Sequence, residues 1–279
     1  LSTTTPDRLV ELRSHAEVGE LARYVNLTRE LALTNFKLKY TGSVLGYLWS
    51  LFKPLMYFGV LYVIFVDVFH QRQPTFPMQL LLAIVIFNFF TECTGTALGS
   101  IAGNAGLVRK AFFPLSALVV SQSLTALLTL VINFSLVIVI GLVTRRLQMG
   151  LGTLFVPLLL LELYMLSLGV GMLLASAFVF YRDLGHIWEV VTMVLMYGCG
   201  VVFPALQVPL RLRHLFFLNP LAQVIEDLRH AVVARTDAPW SFTMLDPGLI
   251  VVPIALSVLV FLAGLWLFHV LTPLFAESL

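Results

Sequence analysis

Two carboxylates stand where a bilayer would make them expensive. Glu92 and Glu162 each interrupt a long apolar run, and Glu189 lies near the start of another. An ionisable group at membrane depth is retained for a partner or for a proton, so one chemistry open to Glu92 and Glu162 is proton relay in a coupled carrier or flippase. The alternative is that each is held by a cation or hydroxyl within a helix bundle, or sits near an interface. No second polar cluster or helix-breaking pair marks an ion site at the midplane. Asp183 and His186 share one short loop and offer an acid–base pair of the kind a membrane glycosyl- or acyltransferase would use. The sequence has no H-E-x-x-H, C-x-x-C or G-x-S-x-G motif to extend that reading. It also lacks a G-x-x-x-x-G-K-[ST] loop, so ATP hydrolysis by a P-loop would have to reside in a separate chain. Cys93 and Cys199 fall in apolar runs and read as small buried hydrophobes, with no metal site expected.

Aromatic residues form the other chemical signal. Tyr57, Phe58, Tyr62, Phe65, Phe87, Phe89 and Phe90 crowd the first two apolar runs, with Tyr164, Tyr181, Trp188 and Tyr197 later. Aromatic faces suit sugar rings and acyl chains, and they also pack at membrane interfaces. Tyr57, Phe58, Tyr62, Phe87, Phe90 and Tyr197 are the candidate pathway lining.

The elements that must position these groups follow from solvent preference. Only 11% of the residues are charged, against roughly 25% in a soluble domain, and no Asp, Glu, Lys or Arg occurs from Pro114 to Thr144. About 20 apolar residues cross a bilayer core, and the mean hydropathy of +0.95 agrees. The expected fold is an all-α integral membrane protein. Spans are predicted at about 45–69, 78–102, 114–143, 152–180, 187–206 and 249–271. The net charge of +2, without a basic block, excludes nucleic acid as a partner. Residues 1–13 are expected to be disordered. Ser14 and Glu17 form a capping box that opens a helix over 14–40. At 100° per residue Leu21, Tyr24, Val25, Leu27, Thr28, Leu31, Ala32 and Phe36 share one arc, opposite Arg23, Arg29, Glu30 and Lys37. That amphipathic helix should lie in the interface. Between spans five and six, residues 207–247 are too charged to span and too apolar for a plain loop, so short re-entrant helices are expected. Lys and Arg in short loops favour a cytoplasmic N-terminus, and an even span number then puts the C-terminus on the same side.

Four local patterns, in order along nearly the whole chain, are similar to one family. The first is Arg29-Glu30-Leu31 through Lys37-Leu38-Lys39-Tyr40, followed by Ser43-Val44-Leu45-Gly46-Tyr47-Leu48-Trp49 and Lys53-Pro54-Leu55. The second is Asn104-Ala105-Gly106-Leu107-Val108-Arg109-Lys110-Ala111-Phe112-Phe113-Pro114. The third is Tyr181-Arg182-Asp183-Leu184 with His186-Ile187, and the fourth is Asn219-Pro220-Leu221. Together they resemble the membrane subunit of ABC-2-type polysaccharide exporters, the family of O-antigen, teichoic acid, capsule and galactan permeases. Within it the leaning is toward an actinobacterial cell-wall galactan exporter.

The resemblance implies a permease in the bacterial inner membrane, itself no enzyme, that moves a lipid-linked polysaccharide. Its partners would be a second copy of itself, two ABC ATPase subunits and membrane lipid. ATP and Mg would be bound by the ATPase, leaving no cofactor in this chain. Residues 41–279 would form the transmembrane domain. Segment 104–114 would be a coupling helix that docks on the ATPase through Asn104, Gly106, Leu107, Val108, Arg109, Lys110, Phe112 and Phe113. Arg29 and Glu30 would lie at the same face. Segment 207–247 would carry periplasmic gate helices. Arg182, Asp183, Asn219 and Pro220 belong to the motifs without an assigned role.

Overall fold

The computed structural model describes residues 6–41, 46, 48–108, 113–148 and 150–278. Among them the regular structure is helical. In chain order the helices are α1 (Pro6–Tyr40), α2 (Leu48–Tyr62), α3 (Phe76–Leu98), α4 (Ala105–Val108), α5 (Ser116–Val143), α6 (Val156–Phe180), α7 (Leu184–Gly198), α8 (Leu210–Leu218), α9 (Pro220–Val232), α10 (Ser241–Met244) and α11 (Val252–Ser278). A π-helical stretch over Val63–Val68 prolongs α2, and a short 3-10 turn over Leu151–Phe155 leads into α6.

Among the described residues five segments are long and apolar enough to cross a membrane: Leu48–Val68, Phe76–Leu98, Ser116–Val143, Leu151–Phe180 and Val252–Phe275. They coincide within a few residues with five of the six expected spans. The remaining one, predicted at 187–206, is α7, which is apolar but has 15 residues. At 1.5 Å per residue it extends about 22 Å, short of a full hydrocarbon core. The helix ends because Gly200 takes φ +67, in the left-handed region. A Cβ there would lie 2.7 Å from the Phe216 ring and 3.0 Å from the Phe203 carbonyl oxygen, so glycine is required. The chain then turns back through α8 and α9.

The bundle is organised around α3. That helix is mostly buried and packs on α5, α6 and α9. By contrast few residues of α2 are fully buried in the single chain. The closest helix crossing is α6 on α11. A Cβ at Gly169 would come within 2.5 Å of the Phe261 backbone, and one at Gly264 within 2.5 Å of the Gly169 carbonyl. Small residues at such a crossing let two backbones approach and gain dispersion energy where lipid supplies no hydrophobic drive.

Two expectations for the N-terminus change. Residues 6–13, predicted to be disordered, form the first turns of α1; Pro6 suits a first turn, where its missing N–H costs nothing. Residues 1–5 lie outside the described residues, as do Ser43, Val44, Leu45 and Tyr47 of the first pattern. The predicted apolar arc divides. Thr28 and Ala32 are buried, whereas Leu21 and Val25 stay exposed. The buried side is laid along the first half of α5 by hydroxyl contacts: Tyr24 Oη to Ser116 Oγ at 3.2 Å, Asn35 to Ser121 at 3.5 Å, and Thr125 Oγ1 to the Ala32 carbonyl at 3.1 Å.

Candidate functional site

The most heavily built polar site is on α9. Asn219 starts the helix: its side chain accepts from Leu221 N–H at 3.1 Å, and Pro220 occupies the first turn. The Asn219-Pro220 motif is therefore a helix-starting device. About two turns further on, Glu226 and Arg229 meet on one face, both essentially without exposure. Arg229 Nη1 donates to Glu226 Oε1 at 2.5 Å, Nη2 to the Val201 carbonyl at 2.9 Å, and Nε to the Gln79 carbonyl at 3.2 Å. Glu226 Oε1 also accepts from Ala205 N–H at 3.0 Å. Two side chains thus bind α9 to the irregular turn after α7 and to the start of α3. The neighbouring Asp227 accepts from Ser241 N–H, Ser241 Oγ and Gln223 Nε2, each at 2.7 Å, which fixes α10. The sequence places these charges in a re-entrant stretch without pairing them. The i, i+3 spacing of Glu226 and Arg229 was the available signal.

Beside this anchor lies a cavity of roughly 840 Å³, walled by Phe65, Tyr197, Phe203, Leu212 and Phe216. Of the candidate lining residues, Tyr197 is on it. Tyr57 is half-buried, with its hydroxyl 2.6 Å from Met196 Sδ, and Phe58 stacks near Tyr62 at 5.8 Å. Phe87 and Phe90 are corrected: both are core residues, because α3 is the central helix, and Phe90 packs against Trp188. Phe203 and Phe216 were not singled out by the sequence, since the turn that gathers them is a tertiary feature.

The two intramembrane acids have partners. Glu92 Oε1 accepts from Lys39 Nζ at 2.6 Å and from Thr129 Oγ1 at 3.0 Å. Glu162 Oε1 accepts from Ser257 Oγ at 3.2 Å. Arg29 and Glu30 are exposed on α1. In the segment after α3, Asn104 Nδ2 donates to the Ser100 carbonyl at 2.8 Å, and Gly106 is exposed. Val108 is buried in one apolar cluster with residues of α5, α6 and α11, with Leu107 and Phe113 packed against that cluster. These apolar side chains therefore seat the turn on its own bundle. Arg109, Lys110 and Phe112 lie outside the described residues. Arg182 sits 5.3 Å over the Phe178 ring. Asp183 precedes α7 without a side-chain cap bond, while exposed His186 faces Glu189 at 3.9 Å rather than Asp183. No acid–base pair is assembled there. Among the described residues no group of three or more His, Cys, Asp or Glu could hold a metal.

A profile of the ABC-2 type transporter family matches residues 26–233. The O-antigen export system permease protein RfbA of Myxococcus xanthus is 28% identical over 187 residues, covering 67% of this chain and 72% of that protein. A protein of the same name from Klebsiella pneumoniae is 26% identical over 235 residues, 82% of this chain and 89% of its own length. The polysialic acid transport protein KpsM of Escherichia coli is 24% identical over 208 residues, 73% and 80% of the two chains.

Proposed function

The chain belongs to the ABC-2 type transporter family, and from that premise we propose that it is the membrane permease of an ATP-driven exporter for a lipid-linked polysaccharide. The observation that carries this is the alignment: proteins named for O-antigen export and polysialic acid transport match 67–82% of the chain. In this reading the protein sits in the bacterial inner membrane with both termini cytoplasmic. It works as a pair, with two ATPase subunits that bind ATP and Mg²⁺. The sixth crossing is a broken one, made by α7 together with the turn-back into α8 and α9. Segment 104–114 is the ATPase-docking element. Val108 and Leu107 hold the turn rigidly to α5, α6 and α11, so a push at Arg109, Lys110 and Phe112 is transmitted to three spanning helices. Nucleotide shifts the pair only by binding one arrangement better than the other. On the opposite side, the aromatic cavity offers flat apolar faces against which sugar rings stack, and the Glu226–Arg229 anchor holds its wall in place.

The test is a pull-down of the tagged chain from its own cells under mild detergent. An ABC ATPase should be recovered in near one-to-one ratio. Charge reversal at Arg109 and Lys110 should release it while leaving the permease folded. If no ATPase accompanies the chain when other ABC complexes survive the same procedure, the proposal is wrong. The carrier reading would then return, although Glu92 and Glu162 are both engaged with partners.

A further inference from the structure

Where α1 meets the bundle, cations and amides are gathered in otherwise apolar surroundings. A cavity of about 400 Å³ opens between the end of α1, the first turns of α2, the second half of α3 and the middle of α5. Small-molecule sites are roughly 300–1,000 Å³. Its polar lining includes Lys39, Lys53, Asn88, Glu92, Thr129 and Asn133. Two ammonium groups face one carboxylate, so the lining carries a net positive charge. Glu92 is already neutralised by Lys39 at 2.6 Å, which leaves the charge of Lys53, exposed at the cavity edge, unmatched by any acid of the lining. Asn133 makes the opposite demand. It is 95% buried (5% exposed), and its Oδ1 has no hydrogen-bond partner among the described residues. A buried carbonyl oxygen without a donor is uncommon in a folded protein, and this one lines the cavity. A ligand that fits must bring negative oxygen to the lysines and an O–H to Asn133.

A third observation says how such a ligand is tethered. From the cavity edge, Phe52, Met56 and Val60 run along α2 at i, i+4, i+8, with exposures of 45, 54 and 55%. Trp49, itself part of the lining, stands edge-on to Phe52 at 5.5 Å. A polar pocket with an apolar rail leading out of it has the shape of an amphiphile. We propose that this cavity binds the hydroxyl-bearing phosphate headgroup of a lipid, with the hydrocarbon chain laid along Phe52, Met56 and Val60. Two sources have that chemistry: the lipid-linked glycan of the exporter reading, on which this source depends, and a membrane phospholipid such as phosphatidylglycerol.

The experiment measures probe binding to the purified full chain by native mass spectrometry. The probes are a short-chain prenyl phosphoglucose, the same prenyl phosphate without sugar, phosphatidylglycerol, and phosphatidylcholine as a zwitterion lacking hydroxyls. Lys53→Met should weaken both prenyl phosphates about tenfold, the loss expected for one charge-assisted contact. Asn133→Leu should weaken the phosphoglucose and phosphatidylglycerol roughly fivefold, because each brings a hydroxyl donor to the Asn133 oxygen. Lys53 is exposed and Asn133 Oδ1 has no partner to lose, so neither change should lower the melting temperature. Should Asn133→Leu misfold, Lys53→Met still decides. Preference for phosphoglucose over phosphatidylglycerol assigns the glycolipid; equal binding of the two, with phosphatidylcholine excluded, assigns the phospholipid. Binding of every probe unchanged in both variants, or phosphatidylcholine bound as tightly as the rest, overturns the inference. ATPase co-purification is independent of these binding data, so failure of the cavity and failure of the exporter reading are separable.

Discussion

Arg229→Met is the substitution whose consequence the structure fixes most narrowly. Methionine fills much of the same space but removes every donor from a site with essentially no exposure. Glu226, 2.5 Å from the lost guanidinium, would keep only the Ala205 N–H, and the Val201 and Gln79 carbonyls would each lose a donor. Breaking one side of a buried pair costs roughly 3–5 kcal/mol because the remaining charge is uncompensated. The Val201 carbonyl, left without its donor, adds up to about 1–3 kcal/mol where water cannot reach it; the Gln79 carbonyl keeps its bond within α3. Against a folding free energy on the order of 5–15 kcal/mol, that is a large share. At roughly 2–4 °C per kcal/mol, the melting temperature in detergent should fall by about 10 °C or more. The double variant Glu226→Gln with Arg229→Met removes the stranded charge and should recover part of the loss. It should stay below wild type, because the Val201 carbonyl loses its donor in both variants. All variants are compared at one heating rate, since unfolding from detergent is a kinetic measurement. A fall of less than about 2 °C for Arg229→Met, or no recovery in the double variant, would refute the argument that this pair is a desolvated anchor.

Gly169→Ala places a methyl 2.5 Å from the Phe261 backbone and should destabilise by at least about 1–3 kcal/mol, whereas Gly95→Ala, with nothing within 4 Å, should be neutral or better; melting curves of the two settle it. Glu92→Gln should loosen α1 without unfolding the bundle. The pair with Lys39 is a quarter to a third exposed (33% and 22%), so about 1 kcal/mol is at stake; faster hydrogen exchange confined to α1 is the expected readout. Asn219→Ala removes the cap of α9 and should cost about 1 kcal/mol, seen as a melting shift of a few degrees that Asn219→Ser largely restores.

The spanning helices were legible because lipid imposes a one-dimensional rule: a segment is either apolar for about 20 residues or it is not. The boundaries of α3, α5, α6 and α11 therefore fell near their expected places. The rule failed at α7, where the apolar run continues but Gly200 turns the backbone, and hydropathy is blind to φ. It also could not say which apolar helix is central. Phe87 and Phe90 look like Tyr57 and Phe58 in sequence, yet the first two are core because α3 is surrounded, and the second two are half-buried on a helix left at the edge.

The sequence by itself determined that this chain lives in a membrane, where its long helices begin and end, and, through its ordered local patterns, which family it resembles. Those properties are sums over local residue choices, and each residue contributes whatever its distant neighbours are. Only the tertiary structure decided what the charges do. It joined Arg229 to Glu226 and to backbone carbonyls of two other segments, gave Glu92 to Lys39 across 53 residues, and left the Asn133 oxygen without a donor among the described residues. The energy of a charge out of water depends on what lies within a few ångströms of it, and that neighbourhood exists only once the helices have packed.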